Sequence, residues 1–149
     1  MRIVLTLLLT FVLSHTIFGQ VSQSDFPTDW TIYNTFDGVE VEYKYQECNS
    51  GAVKNQVLVL FRFSNNSPDH KTLSWTTKHY RAGECYNCAN IDSHEYRHEI
   101  SLSPGEIVEA DGTSKEDDNI YLFSSFVNLA KGMPATKLTG FEFININID

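Results

Sequence analysis

The chain has 149 residues, with 11 Lys or Arg against 19 Asp or Glu, so its formal net charge at pH 7 is −8. A chain this acidic repels nucleic acid and anionic membranes, which excludes both as expected partners. About 130 residues follow the leader described next, enough for one domain with its own hydrophobic core.

The start of the chain is typical of a secretory signal peptide. Met1 and Arg2 give a short positive start, and an almost unbroken apolar run covers residues 3–13. A membrane-spanning helix needs about 20 apolar residues, and no stop-transfer segment follows. We predict cleavage after Gly19, one domain over residues 20–149, no membrane span, and a secreted or periplasmic location. No cysteine lies near the cleavage site, so we expect no lipid anchor there.

The rest of the chain alternates between strand patterns and turn residues. The strand candidates are rich in β-branched and aromatic residues, and in several of them apolar residues recur at every second position. They are Trp30–Phe36, Val39–Tyr45, Gln56–Phe63, Thr72–Tyr80, His94–Leu102, Glu106–Ala110, Ile120–Leu129 and Lys137–Ile148. No helix pattern of useful length appears. We therefore predict an all-β fold, a single antiparallel sandwich of about seven strands.

Two turns carry specific expectations. Turn-forming residues are packed together between Asn65 and Asp69, which predicts that residues 56–80 form one hairpin. Pro104 and Gly105 occupy the two central positions of a four-residue turn, where type II turns favour Pro and Gly. We therefore expect the strand after this turn to pair antiparallel with the strand before it.

The last predicted strand changes the face on which its apolar residues lie. Phe141 and Phe143 share one face, whereas Ile144, Ile146 and Ile148 share the other. This change of parity predicts a β-bulge or burial on both faces.

Several of these features together resemble a known fold family. Trp75 at the centre of a strand, the run Val57–Ser67 and the Leu102–Glu106 turn resemble immunoglobulin-like or fibronectin-type domains of exported bacterial proteins. The resemblance implies a sandwich with Trp75 and Phe61 buried between its sheets. The cysteine pair of antibody domains is absent. Such folds carry many activities, so the resemblance alone implies no function.

The chain has three cysteines, Cys48, Cys85 and Cys88. In an exported protein we expect one disulfide and one remaining thiol. If the strands alternate up and down, all three lie at one end of the sandwich. Closing Cys48 to Cys85 makes a loop of about 38 residues worth about 3.8 kcal/mol, against about 1.9 for Cys85–Cys88. We therefore predict that Cys48 pairs with Cys85 or Cys88.

The Cys85-x-x-Cys88 spacing also permits two other sites. A thioredoxin-type redox centre needs a helix N-terminus after a strand, and no such pattern surrounds the motif. A zinc site could use Cys85, Cys88 and His94 or His79. On one strand His94 and His98 would lie about 13 Å apart, so both could not bind the same ion.

A calcium site is a further alternative. The acidic loop Asp111–Asn119, together with Glu84 and Asp92, offers the oxygen ligands that Ca²⁺ prefers. Its spacing matches no calcium loop that we recognise.

No catalytic set is visible in the sequence, which contains no Ser-His-Asp spacing and no Gly-rich phosphate loop. Tyr80, Tyr86 and Tyr96 are placed for ligand contact, whereas Trp30 and Trp75 are expected in the core. We predict an exported, non-enzymatic module that binds a protein or a glycan through the loops of the cysteine-bearing end. The alternative is a metal-binding protein or small metal-dependent enzyme built on the cysteine and histidine cluster.

Overall fold

The computed structural model describes residues 26–113, 120–133 and 136–149. The predicted signal peptide and most of the acidic loop lie outside these ranges. None of the helices within them is long and apolar enough to cross a membrane.

Nine strands form two antiparallel sheets that pack face to face, which confirms the all-β prediction with more strands than expected. The first sheet contains β1 (Thr31–Phe36), β2 (Val39–Cys48), β3 (Gln56–Asn65), β7 (Ile107–Glu109) and β8 (Tyr121–Phe126). The second contains β4 (Lys71–Arg81), β5 (Glu84–Cys85), β6 (Arg97–Leu102) and β9 (Leu138–Ile148). Short 3-10 helices cover Gly51–Val53, Cys88–Asn90 and His94–Tyr96.

Each sheet is built around one central strand. In the first sheet β3 pairs with β2 on one edge, while β7 and β8 share its other edge. In the second sheet β4 pairs with β9 on one edge, while β5 and β6 share the other.

The predicted hairpin is wrong, because β3 and β4 belong to different sheets. The buried Asn65 side chain holds the crossing between them. Its amide nitrogen donates to the carbonyls of Asp69, Leu102 and Ser103, and its oxygen accepts from the amide and hydroxyl of Ser67. Turn-forming residues predict a change of direction, but they do not specify which sheet the next strand joins.

The antiparallel pairing predicted for the strands before and after Pro104 is also wrong, because these strands belong to different sheets. The turn itself is present, because the Glu106 amide donates to the Ser103 carbonyl at 3.0 Å. Gly105 has the positive φ, 74°, that a type II turn requires. The chain nevertheless crosses between the sheets here, since β6 pairs with β4 and β7 pairs with β3.

Aromatic side chains from both sheets meet in the core. Trp75 of β4 is 3% exposed, and its ring lies 5.1 Å from Phe63 of β3 and 5.1 Å from Phe143 of β9. Phe61 is buried beside them. The predicted burial of Trp75 and Phe61 is therefore confirmed.

The predicted irregularity in the last strand is present as a shift in register. Ser74 pairs with Asn147 and Thr76 with Ile144, so β9 has one more residue than β4 between these pairs. Asn145 at this point has a φ of 52°. Beyond the shift, Ile146 and Ile148 pack against the core.

Candidate functional site

The cysteine pairing differs from the prediction: Cys85 and Cys88 form the disulfide, and Cys48 is free and buried. Cys48 lies three positions after the inward-facing Tyr45, so by strand alternation its side chain points away from the second sheet. Cys85 belongs to that second sheet. The long-range bridge fails because it would need Cys48 to face the opposite way.

Cys48 instead belongs to a small apolar layer on the outer face of the first sheet. A Cβ added to Gly112 would lie 2.9 Å from the Cys48 sulfur and 3.4 Å from Leu60. Burial, and then the charge of Asp111, raise the pKa of the Cys48 thiol. The thiol is therefore a packing group in this layer.

Two of the four residues predicted for zinc are not free thiols in this structure. Cys85 and Cys88 are bonded to each other. His94 begins a 3-10 helix, and the strand starts only at Arg97, so the predicted strand start at His94 is wrong. Among the residues that the structure describes, no three His, Cys, Asp or Glu side chains form a group that could hold a metal ion.

The His79 side chain is half-buried, and its ring packs edge-on against Tyr96, with 5.5 Å between ring centroids. Burial lowers the pKa of His79 to about 4, with further lowering from the charges of Arg81 and His98. Its imidazole is therefore neutral near pH 7.

The described part of the acidic loop has internal partners. The Asp111 carboxylate accepts hydrogen bonds from the Thr113 amide at 2.7 Å and from its hydroxyl at 2.8 Å. Asp92 lies 3.9 Å from the Arg97 guanidinium. Residues 114–119 lie outside the described ranges, so the calcium alternative stays a prediction.

The three candidate tyrosines have different surroundings. Tyr86 is 68% exposed. Tyr80 is half-buried and donates a hydrogen bond to Glu142 at 3.0 Å. Tyr96 is half-buried against His79. Tyr86 thus presents the most accessible ring of the three.

An apolar pocket of about 180 Å³ opens where β8 ends. It is lined by Phe123, Ser125, Phe126, Leu129, Met133, Thr136 and Lys137. Leu129 is 45% exposed and Met133 48%. The sequence interpretation missed this pocket because it extended the strand to Leu129, whereas β8 ends at Phe126.

Arg81 joins Tyr86 to this pocket. Its guanidinium lies 5.4 Å from the Tyr86 ring centroid and 5.6 Å from that of Phe123. The same group donates to the carbonyls of Phe123, Ser124 and Thr136, each at 3.1 Å. We call the resulting surface the apolar end, and it consists of Tyr86, Phe123, Phe126, Leu129 and Met133.

A second pocket of about 220 Å³ adjoins the first and shares Ser125 and Lys137 with it. Phe26 and Tyr45 contribute to its lining. The Tyr45 hydroxyl is buried and has no hydrogen-bond partner among the residues that the structure describes, and burial raises its pKa. The rest of the lining is mixed: Val57 is apolar, whereas Gln46 and Glu47 are polar.

No family model, no curated protein and no solved structure matches this chain. The function is therefore inferred from its own residues.

Proposed function

We propose that this protein is a non-enzymatic module that binds a partner protein at the apolar end. One observation carries this proposal. The described residues include seven exposed large hydrophobic side chains, and four of them lie at the apolar end: Tyr86, Phe126, Leu129 and Met133. Clustered apolar exposure of this kind marks interaction sites, whereas single exposed hydrophobic residues are ordinary.

The composition favours a protein over a glycan. Tyr, Phe, Met and Arg are enriched at protein interfaces. Of the residues that the structure describes, only Ser125, Thr136 and Lys137 bring polar side chains to the first pocket, which is little for the many hydroxyls of a sugar. An apolar side chain of the partner fits such a pocket better.

The charges around the pocket indicate which groups should surround the partner's apolar side chain. The chain as a whole is acidic, at −8, but Arg81 and Lys137 border the pocket. Lys137 forms no salt bridge with any residue that the structure describes. A partner with acidic groups around an apolar anchor would complement this arrangement.

We also infer that the sandwich is immunoglobulin-like. Two strand orders support this: β2-β3-β8 corresponds to strands A, B and E, and β6-β4-β9 to strands C′, C and F. Trp75 then lies on strand C, where antibody domains carry their buried tryptophan. Phe63 and Phe143 lie on the strands that carry the disulfide in those domains.

We further propose export to the periplasm or the outside of the cell. The pattern of residues 1–19 supports it, as does the Cys85–Cys88 disulfide, because disulfides persist in oxidising compartments. Sequencing of the secreted protein should give a chain that begins at Gln20. A chain that still begins at Met1 would contradict this proposal.

The binding proposal is tested with a matched pair of variants. Leu129→Asp places a charge in the apolar end, while Ile107→Asp changes a more exposed apolar residue on β7. Partners are captured from the source organism on each protein and identified by mass spectrometry, and their affinities are then measured by calorimetry.

We expect Leu129→Asp to weaken binding about 30-fold or more and Ile107→Asp to leave it unchanged. Circular dichroism checks that both variants fold. Equal affinities for the two folded variants would refute the apolar end as the binding surface.

A further inference from the structure

The edge of β4 that carries β5 and β6 has a gap between these two strands. Pairing with β6 ends at Thr76, and pairing with β5 begins at Tyr80. The backbone groups of Thr77 and His79 face this gap, and inside a sheet such groups need partners.

The side chain of Asn87 fills the gap. It is 2% exposed; its amide nitrogen donates to the Thr77 carbonyl at 2.8 Å, and its oxygen accepts from the His79 amide at 2.9 Å. Towards β4 the carboxamide uses one N–H as a donor and its oxygen as an acceptor, which is the pairing that a backbone peptide offers. Next to it, the Tyr86 amide donates to the His79 carbonyl at 2.7 Å. Asn87 and Tyr86 thus continue the ladder between β5 and β6.

The disulfide encloses these two residues. Cys85 and Cys88 are three positions apart in the chain, with 5.6 Å between their Cα atoms. The closed ring restricts the conformations of the segment and so favours the docked position of Asn87. Cys88 is exposed, so a small thiol can reach its sulfur.

We propose that the Cys85–Cys88 disulfide is a redox switch that fixes Asn87 against β4 and thereby fixes Tyr86 in the apolar end. This inference rests on the proposed function wherever it concerns binding. In the oxidised protein the ring holds Tyr86 beside Arg81. In the reduced protein the segment leaves the edge of β4, and the apolar end loses its most exposed aromatic ring.

The reductant is a dithiol. One of its thiolates attacks the exposed Cys88 sulfur, breaks the bond to Cys85 and forms a mixed disulfide. Cys85 leaves as a thiolate and takes up a proton. The second thiolate of the reductant then displaces Cys88, which is protonated in turn. Two electrons and two protons pass from the dithiol to the cysteine pair, and the dithiol becomes a disulfide.

Amide hydrogen exchange, followed residue by residue by NMR, tests the switch. The mature protein carries Cys48→Ala so that dithiothreitol acts on one cysteine pair, and thiol alkylation confirms full reduction. We expect exchange at the His79 and Tyr86 amides to become about tenfold faster or more on reduction, since their hydrogen bonds open. The Phe61 amide, bonded to the Ile120 carbonyl on the other sheet, should not change. Unchanged exchange at His79 and Tyr86 in the reduced protein would overturn the proposal.

Asn87→Asp provides a second variant. Its carboxylate still accepts from the His79 amide but cannot donate to the Thr77 carbonyl. We expect faster exchange at His79 already in the oxidised state, and wild-type exchange there would count against the role given to Asn87.

Binding measurements separate this inference from the proposed function. If Leu129→Asp abolishes binding and reduction weakens it about tenfold, both hold. If Leu129→Asp abolishes binding and reduction leaves it unchanged, the link between the switch and the apolar end is refuted. If Leu129→Asp binds normally, the proposed function fails. The hydrogen-exchange rates of the His79 and Tyr86 amides then decide by themselves whether the disulfide acts as a switch.

Discussion

Trp75→Ala should lower the free energy of unfolding by about 3–5 kcal/mol. The indole is almost fully buried, and its ring stacks on Phe143 and His98. An indole buries on the order of 200 Å², worth about 5 kcal/mol at about 25 cal/mol/Å², and alanine retains part of this. The indole nitrogen also donates to the Thr77 hydroxyl at 3.1 Å, so the variant leaves a buried hydroxyl without this partner.

Urea unfolding followed by circular dichroism measures this loss without relying on the fluorescence of the residue removed. Trp30→Ala is the matched control, because Trp30 is half-buried and contacts the cations of Lys44 and Arg62 at 4.5 and 4.7 Å. We expect it to cost about 1–2 kcal/mol.

In a Trp30→Phe background, the fluorescence of Trp75 should resist quenching by iodide. A loss below about 1 kcal/mol for Trp75→Ala, or fluorescence that iodide quenches freely, would refute the packing of the two sheets around this residue.

Three other substitutions test separate parts of the structure. Asn65→Ala should cost about 2–4 kcal/mol in urea unfolding, because one buried and two part-buried carbonyls of the crossing lose their donor; an unchanged midpoint would contradict this. The pKa of His79 falls from 6.5 to about 4 on folding, so the unfolded chain binds the proton first and stability falls as the pH drops through this range. The loss reaches about 3 kcal/mol, and we expect His79→Gln to remove it from unfolding curves measured between pH 7 and 4; an identical pH dependence would refute the lowered pKa. Gly112→Ala should cost about 1–3 kcal/mol, because its Cβ meets the Cys48 sulfur and its φ is 70°. Adding Cys48→Ala to this variant should recover the part of the stability loss that comes from contact with the sulfur. If the double variant is no more stable than Gly112→Ala alone, the whole loss comes from the backbone conformation.

The sequence predicted strands better than it predicted their partners. Alternation is a local property, so the strands around Val41, Phe61 and Trp75 were found close to their observed bounds. Pairing depends on contacts between residues that are distant in the chain. The turn at Asn65 and the turn at Pro104 were both predicted to join paired strands, but at both places the chain crosses from one sheet to the other. One signal was available. Leu58 and Leu60 make the outward positions of β3 apolar as well, which is typical of a central strand buried on both faces.

The error in the cysteine pairing came from ignoring the same alternation. Cys48 was expected at one end of the sandwich, beyond a strand predicted to end at Tyr45, but the face it takes was not considered. Counting three positions from Tyr45 places Cys48 outward, on the layer that contains Leu60 and Gly112. With Cys48 on the outer face, Cys85 of the second sheet and Cys88 in the 3-10 helix that follows are left to pair with each other.

The pocket at the apolar end could not be predicted from alternation, because it forms where alternation stops. Residues 120–129 are mostly apolar, which suggests a longer strand, but the β-structure ends at Phe126. The apolar residues beyond that point enter a turn, where the Met133 amide donates to the Ala130 carbonyl. Hydrophobic residues in a turn have no inward face of a sheet to occupy, so their exposure follows from where the strand ends.

Two exposed apolar residues on strands differ from those at the apolar end. Ile32 on β1 and Ile107 on β7 are each more exposed than Leu129, but each lies on a strand whose neighbours in the chain are polar or half-buried. On the outer face of the first sheet, by contrast, the fold covers Leu60 with its own loops. The chain buries apolar groups on both faces of a sheet, yet leaves Leu129 and Met133 exposed around a pocket. This contrast supports the proposal that the apolar end is a binding surface.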